Sequence, residues 1–235
     1  MPGSADGTPG ATFGRVAEAY ARTRPEYSRA AVAFAAEQLG LTGDATVLDL
    51  AAGTGKLTRA LRELFARVIA VEPDDEMRAR IEGEALAGSA EEIPLDDDSV
   101  DGVFVGEAFH WFDYERALAE IRRVLRPGGG LAVLTRGWGE IPPALRDDLD
   151  AVWARFHGDR TEFPDWRDAV EPEGPEQFVE TVRISGRDLV DLWLTGSTPA
   201  SIGAAEREAI AARAYPSFEG EHELEVTTGV YWVHM

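Results

Sequence analysis

An α/β fold is predicted, with a mostly parallel sheet, helices on both faces and an antiparallel last strand. Three observations lead there. Short apolar runs alternate with helix-period segments from residue 46 to residue 136. Those runs are apolar nearly throughout, as in parallel strands covered on both sides. The final stretch, HELEVTTGVYWVHM, alternates like a strand with one covered face.

The elements follow in order. Ser28 is placed to cap a helix that reaches Glu37 to Leu39 and stops at Gly40. ATVLDL gives a buried strand, Thr46 to Leu50, and AAGTGK a glycine-rich turn. Leu57, Leu61 and Leu64 set a helical spacing. RVIAVE is the second strand, ending at Glu72, and DDEMRARIE a short helix. A brief third strand is expected near Leu86 to Gly88, followed by the polar loop EEIPLDDDSVD. DGVFVGE is the fourth strand and AFHWFD follows it. YERALAEIRRVLR is an amphipathic helix stopped by PGGG, and GLAVLTR is the fifth strand. Pro142 to Phe156 reads as helical, 158–174 has no clear period, and Phe178 to Ile184 reads as a strand. Arg187 to Leu194 and Ala204 to Ala214 read as short helices.

Composition narrows the function. The chain has 235 residues, 44% of them hydrophobic, enough for one substantial core. A single domain over 13–235 is expected, after a flexible Gly/Pro/Ser leader at 1–12 that lacks the features of a secretory signal. No cysteine is present, which excludes disulfides, thiol nucleophiles and Cys-ligated metals. Together these fit a cytoplasmic protein. With 23 basic and 43 acidic residues the net charge is −20, which disfavours nucleic acid and anionic membranes as partners. No apolar stretch is long enough to span a bilayer.

The strongest local signal is VLDLAAGTGKLTRAL. Gly53 and Gly55 allow a tight turn between a buried strand and a helix, and let a ligand touch the backbone. Glu72 ends the next strand, so parallel pairing sets it beside that turn. A carboxylate there accepts hydrogen bonds from both hydroxyls of a ribose. Two nucleoside ligands fit, a dinucleotide and S-adenosylmethionine. The dinucleotide fingerprint requires a third glycine, and Thr58 stands three residues after Gly55. Asp49, at the strand end, repels a pyrophosphate but suits an ammonium group, which favours the methyl donor.

With these motifs the chain resembles the class I S-adenosylmethionine-dependent methyltransferases, in the small-molecule type 11, trans-aconitate methyltransferase-like branch. VLDLAAGTGKLTRAL resembles motif I of that family and VIAVEPDDEMRA its second motif. GSAEEIPLDDDSVDGVFVGEAFHWFD resembles the adenine loop and fourth strand, EIRRVLRPGGGLAVL the approach to strand five, and FGRVAEAYARTRPEY the N-terminal cap.

The resemblance implies a Rossmann-like sheet of seven strands, cap helices at 13–40 and an acceptor-lid insertion at 138–175. It implies S-adenosyl-L-methionine as cofactor and S-adenosyl-L-homocysteine as product. Asp49 would orient the methionine amino group. Ala51, Gly53, Thr54 and Gly55 would carry the methionine part against the turn. Glu72 would hold the ribose, with Pro73 and Met77 near the adenine and Ser89, Ala90 and Glu91 at its edge. Gly106, Glu107 and Ala108 would line the methionine part, and Tyr20 and Arg24 would close over the donor, Arg24 pairing its carboxylate. Two positions depart from the family pattern: Ala51 replaces a glycine and Ser89 an acid.

Methyl transfer from a sulfonium releases a neutral thioether, so positioning and exclusion of water suffice for many acceptors. His110 is the candidate base where the acceptor must lose a proton; a structural histidine at a helix start is the other reading. Phe109, Trp111 and Trp138 are expected in the acceptor pocket. His157, His222 and His234 form no ligand spacing, and Asp96 to Asp98 lack that of a calcium loop, so no metal is expected. The expected partner is a small-molecule acceptor, on a monomer or homodimer. A nucleotide-binding oxidoreductase and a non-catalytic donor-binding protein are the competing functions.

Overall fold

The structure, a computed structural model, describes residues 17–157 and 165–235. The expected leader and residues 158–164 of the expected lid lie outside the described residues. Seven strands form one sheet in the order β3-β2-β1-β4-β5-β7-β6. They are β1 (Thr46–Leu50), β2 (Arg67–Val71), β3 (Glu84–Leu86), β4 (Val100–Gly106), β5 (Leu125–Gly137), β6 (Glu173–Ser185) and β7 (Glu221–His234). The first five pair in parallel, and β7 runs antiparallel to β5. The predicted mixed, mostly parallel seven-stranded sheet is what the chain forms.

The helices are α1 (Ala17–Thr23), α2 (Arg29–Gln38), α3 (Lys56–Arg62), α4 (Asp75–Arg78), α5 (Tyr114–Val124), α6 (Pro143–His157), α7 (Arg167–Val170), α8 (Gly186–Leu194), α9 (Ser197–Ala200) and α10 (Ala204–Ala214). The described residues fall into two compact units. One lies within Glu26–Gly137, Asp165–Glu180 and Thr227–Met235; the other within Met1–Pro25, Trp138–Pro164 and Thr181–Val226. The described residues of the expected lid segment 138–175 fall partly in each unit.

In the first unit both faces of the sheet are covered, because strand residues alternate between two cores. Leu48, Ile69, Val103 and Leu131 join a cluster with Ala117, Leu118, Ile121 and Val124 of α5. Val47, Val68, Phe104 and Ala132 join another with Ala31, Val32 and Ala35 of α2 and Leu57 and Leu61 of α3. The α5 positions repeat at helical spacing, and each fully buried Leu or Ile contributes about 1.5–3 kcal/mol. Ser28 caps α2 as expected, accepting the Ala31 N–H at 3.4 Å.

Local differences have local causes. β3 lies two residues earlier than expected: its ladder with β2 ends at Val71 opposite Leu86, and the chain then turns at Gly88, packed against Pro94, into a Ser89–Glu92 bridge. PGGG does more than stop a helix. α5 runs into β5 at Leu125, opposite Val100, and the next pair is Gly102 with Gly130, so the intervening residues loop out of register. Gly128 turns there with φ +86°.

In the second unit, α6, α8 and α10 pack around Leu145, Leu149, Val190, Leu194 and Ile210. Arg22 of α1 bonds Asp188 at 2.8 Å and also Asp191, both on α8. Among the described residues no helix is long and apolar enough to cross a membrane.

Candidate functional site

Leu50 lies opposite Val71, so the next residues, Ala51 and Glu72, leave the sheet side by side at its carboxyl edge. The turn that follows β1 is left-handed three times: φ is 58° at Ala51, 58° at Gly53 and 79° at Gly55. Glycine takes that conformation freely; Ala51 takes it at a cost of about 1–2 kcal/mol. The nearest atom to a side chain built on Gly53 would be Met77 Sδ, at 3.8 Å. Backbone is therefore open to contact on that side.

Glu72 is fastened to this turn. One carboxylate oxygen accepts the Gly53 N–H at 2.8 Å, the other accepts the Asp74 N–H at 2.9 Å. Asp74 in turn caps α4 by accepting the Met77 N–H at 2.9 Å. Glu72 is 5% exposed, and burial raises its pKa against the pull of those two backbone bonds. Each oxygen keeps acceptor capacity beyond the one bond it has.

Asp49 sits on the same edge, buried, with one oxygen accepting the Thr58 hydroxyl at 2.5 Å. Its other oxygen, Oδ1, is buried with no hydrogen-bond partner, as is the Thr54 hydroxyl. Burial pushes the Asp49 carboxyl up to about 7; Thr58 opposes the shift and the charge of Glu72 adds to it. A buried carboxylate oxygen left unbonded is costly unless a cation meets it.

Around these lie the other expected residues. Met77 and Ala90 are buried, and Pro73 is exposed. The Ser89 hydroxyl accepts the Glu91 N–H at 3.3 Å, and the Glu91 carboxylate accepts the Asp113 N–H at 3.0 Å. Gly106 ends β4, where a side chain would strike the Tyr27 hydroxyl and lie 2.9 Å from Tyr27 Cζ. Glu107 has φ 59°, and its carboxylate accepts the Arg136 N–H at 2.5 Å. Ala108 leads into a 3-10 turn, Phe109–Trp111.

Phe109, expected in the pocket wall, is 1% exposed and packs its ring against Phe112, Tyr114 and Trp166, a place in the core. Trp111 is exposed. His110 is exposed too, with its ring 4.8 Å from that of Trp111; enough protein still surrounds it for burial to lower its pKa. Tyr20, Arg24 and Trp138 belong to the other unit, where the Arg24 guanidinium lies 4.8 Å from the Tyr20 ring and 4.3 Å from that of Trp138. Among the described residues no group of three or more His, Asp or Glu is placed to hold a metal.

Three residues at the same edge were not singled out from the sequence. Tyr27 is buried, with the Arg136 guanidinium 4.1 Å from its ring centre. Arg136 is itself buried near the end of β5. Lys56, first in α3, is 6% exposed and bonds Glu26 at 2.7 Å. A signal existed for Arg136: like Asp49, Glu72 and Glu107, it is an ionisable residue closing an apolar strand.

A sheet ordered 3-2-1-4-5-7-6, with its glycine turn and Glu72 at the carboxyl edge of β1 and β2, has the Rossmann-like fold of class I methyltransferases. Residues 48–133 match the family described as a methyltransferase domain, of the type 11 kind. It is 48% identical over 153 residues to an uncharacterized methyltransferase of Mycobacterium tuberculosis, covering 60% of this chain and 61% of that protein. It is 33% identical over 159 residues to a malonyl-[acyl-carrier protein] O-methyltransferase of Yersinia pestis, covering 64% and 56%. The chain thus spans less than two thirds of the length of these relatives. A protein of Anaeromyxobacter dehalogenans, solved as a candidate type II methyltransferase, superposes with a TM-score of 0.63 at 25% identity, covering 90% of this chain and 97% of that one.

Proposed function

We propose that this chain transfers the methyl group of S-adenosyl-L-methionine to a small-molecule acceptor, releasing S-adenosyl-L-homocysteine. The observation that carries the reading is the pairing of Glu72, bound to the Gly53 N–H, with the unbonded buried oxygen of Asp49. The first fits a ribose and the second an ammonium group, and only a ligand with both at opposite ends meets the two at once.

In this reading the Asp49 oxygen takes the methionine ammonium, the Gly53–Gly55 backbone carries the methionine part, Glu72 accepts both ribose hydroxyls, and Met77 with Ser89 to Glu91 borders the adenine. Gly106 to Ala108 lie toward the sulfonium. In the transfer the S–CH3 bond breaks as the acceptor's lone pair forms the new bond, and the sulfur leaves neutral. The chain's task is alignment. His110, neutral near pH 7, serves as base only where the acceptor must lose a proton. The acidic surface argues against a nucleic-acid acceptor and, with the absence of cysteine, fits a cytoplasmic setting.

Calorimetry with S-adenosylhomocysteine and with a nicotinamide dinucleotide tests the donor. We expect micromolar binding of the first and none of the second; the reverse overturns the reading. Incubation with methyl-labelled donor and a metabolite extract tests turnover. Donor binding without transfer would make the protein a non-catalytic binder.

A further inference from the structure

Between β3 and β4 the chain runs through residues 87–99, which hold Glu91, Glu92, Asp96, Asp97 and Asp98 and neither Lys nor Arg. The segment therefore repels itself. It starts beside Glu72, since the Leu86 carbonyl accepts the Glu72 N–H at 3.1 Å. Ser89 and Glu92 then exchange backbone bonds at 3.3 Å, which leaves Ala90 and Glu91 at the tip of a tight turn.

Arg123, in the last turn of α5, supplies a countercharge. Its Nη1 donates to the Leu95 carbonyl at 2.7 Å and to Asp97 at 2.9 Å. Its Nη2 donates to the Ile93 carbonyl at 2.9 Å and to Glu120 at 2.7 Å, and its Nε to Glu120 at 2.7 Å. A guanidinium carries five N–H groups, and each has an acceptor here. Glu120, three residues earlier on the same helix, accepts the Ile93 N–H at 2.9 Å and so grips the loop as well. The Arg123 carbonyl accepts the Asp98 N–H at 3.0 Å, and the Val124 carbonyl the Ser99 N–H at 2.9 Å. An exposed ion pair alone contributes little. This one is bidentate and also meets two backbone carbonyls, a geometry open to a planar fork and closed to an ammonium.

We propose that Arg123, oriented by Glu120, is a positioning residue for base recognition: resting on the donor reading above, it holds residues 87–99 so that Ser89 to Glu91 meet the adenine edge, and it thereby sets the preference for adenine over other bases. Arg123 bonds Ile93, Leu95 and Asp97 and acts on the base through them. Ile93 is buried two residues beyond Glu91, so the turn that carries Ser89 to Glu91 is anchored directly behind its tip. Hydrogen bonds to a base edge fail with a shift of about 1 Å, and a loop that reads one must be fixed from behind.

The test compares S-adenosylhomocysteine with S-inosylhomocysteine, in which an oxo group replaces the 6-amino group of the base. Calorimetry is run on wild type, Arg123→Lys, Glu120→Gln and, as a control at an exposed neighbouring position, Arg122→Lys. Wild type should bind the adenine ligand about tenfold tighter than the inosine ligand, the effect of one or two base hydrogen bonds. In Arg123→Lys most of that preference should be lost: affinity for the adenine ligand falls about tenfold, while that for the inosine ligand changes by less than about threefold. Glu120→Gln should fall between, and Arg122→Lys should match wild type. A merely structural role would weaken both ligands alike or lower only the Tm. Equal weakening of both, an unchanged preference in folded Arg123→Lys, or no preference in wild type overturns the positioning role. If Arg123→Lys does not fold, Glu120→Gln decides on the same readout; if neither folds, the two residues maintain the fold rather than the loop, and the proposal falls. Failure of S-adenosylhomocysteine to bind wild type overturns the donor reading instead.

Discussion

The Thr58 hydroxyl donates to Asp49 at 2.5 Å and leaves the other oxygen of that buried carboxylate facing no protein donor. An ammonium placed there favours the ionised form of a group whose pKa burial has pushed up to about 7. Donor affinity should therefore fall as pH drops below 7, by about tenfold per unit once Asp49 is protonated in the free protein. Calorimetry of S-adenosylhomocysteine from pH 5 to 8 checks this, in buffers of different ionisation enthalpy so that proton release is counted. In Asp49→Asn the proton release should vanish.

The same shift has the opposite sign for stability. Asp49 keeps its proton in the folded chain up to about pH 7, whereas the unfolded chain loses it near pH 4. Between those values the folded state binds more protons, so stability falls as pH rises through that window. Glu72, also raised by burial, acts in the same direction. Denaturant unfolding of the ligand-free protein should show a decline from pH 5 to 7 that is smaller in Asp49→Asn.

Glu72→Ala should weaken donor binding by about 2–3 kcal/mol through loss of two ribose hydrogen bonds. It also strips the Gly53 and Asp74 N–H groups of their acceptor, so stability should drop by roughly 1–3 kcal/mol. Calorimetry and thermal unfolding separate the two effects. Unchanged donor affinity in a folded variant would contradict the ribose assignment.

Ala51 occupies a backbone conformation that glycine holds freely. Ala51→Gly should relieve about 1–2 kcal/mol of strain against about 0.5–1 kcal/mol of added chain entropy in the unfolded state. A net gain of roughly 0.5–1 kcal/mol corresponds to a rise in Tm of about 1–4 °C.

Gly106→Ala should be tolerated poorly, because its side chain would meet Tyr27 and Leu57. A loss of about 1–3 kcal/mol is expected. The double variant with Tyr27→Ala should lose less than the sum of the two singles, since it opens the space the first one fills.

Much of this was legible in the residues. Near-continuous apolar runs at Thr46–Leu50 and Arg67–Val71 signal strands covered on both faces, and the glycines after the first run signal a turn that a backbone-touching ligand can use. Glu72 was placed by strand order alone. Other features depend on contacts that spacing does not encode. β3 is a short edge strand whose end is set by the packing of Gly88 against Pro94. Phe109 reads as a wall residue beside His110, yet its ring turns inward to Trp166, far along the chain. Tyr27 and Arg136 are 109 positions apart by number and meet only because α2 lies over the face that β5 shares.

The strand order β5-β7-β6 has a consequence for biosynthesis. β6 leaves the ribosome before β7, yet its place in the sheet is on the far side of β7. Its only neighbour in that order is β7, so β6 joins the rest of the sheet only through the last strand. Truncation within β7 should therefore release β6 as well, and the growing chain should acquire protease resistance over the first five strands well before it does so at the other margin.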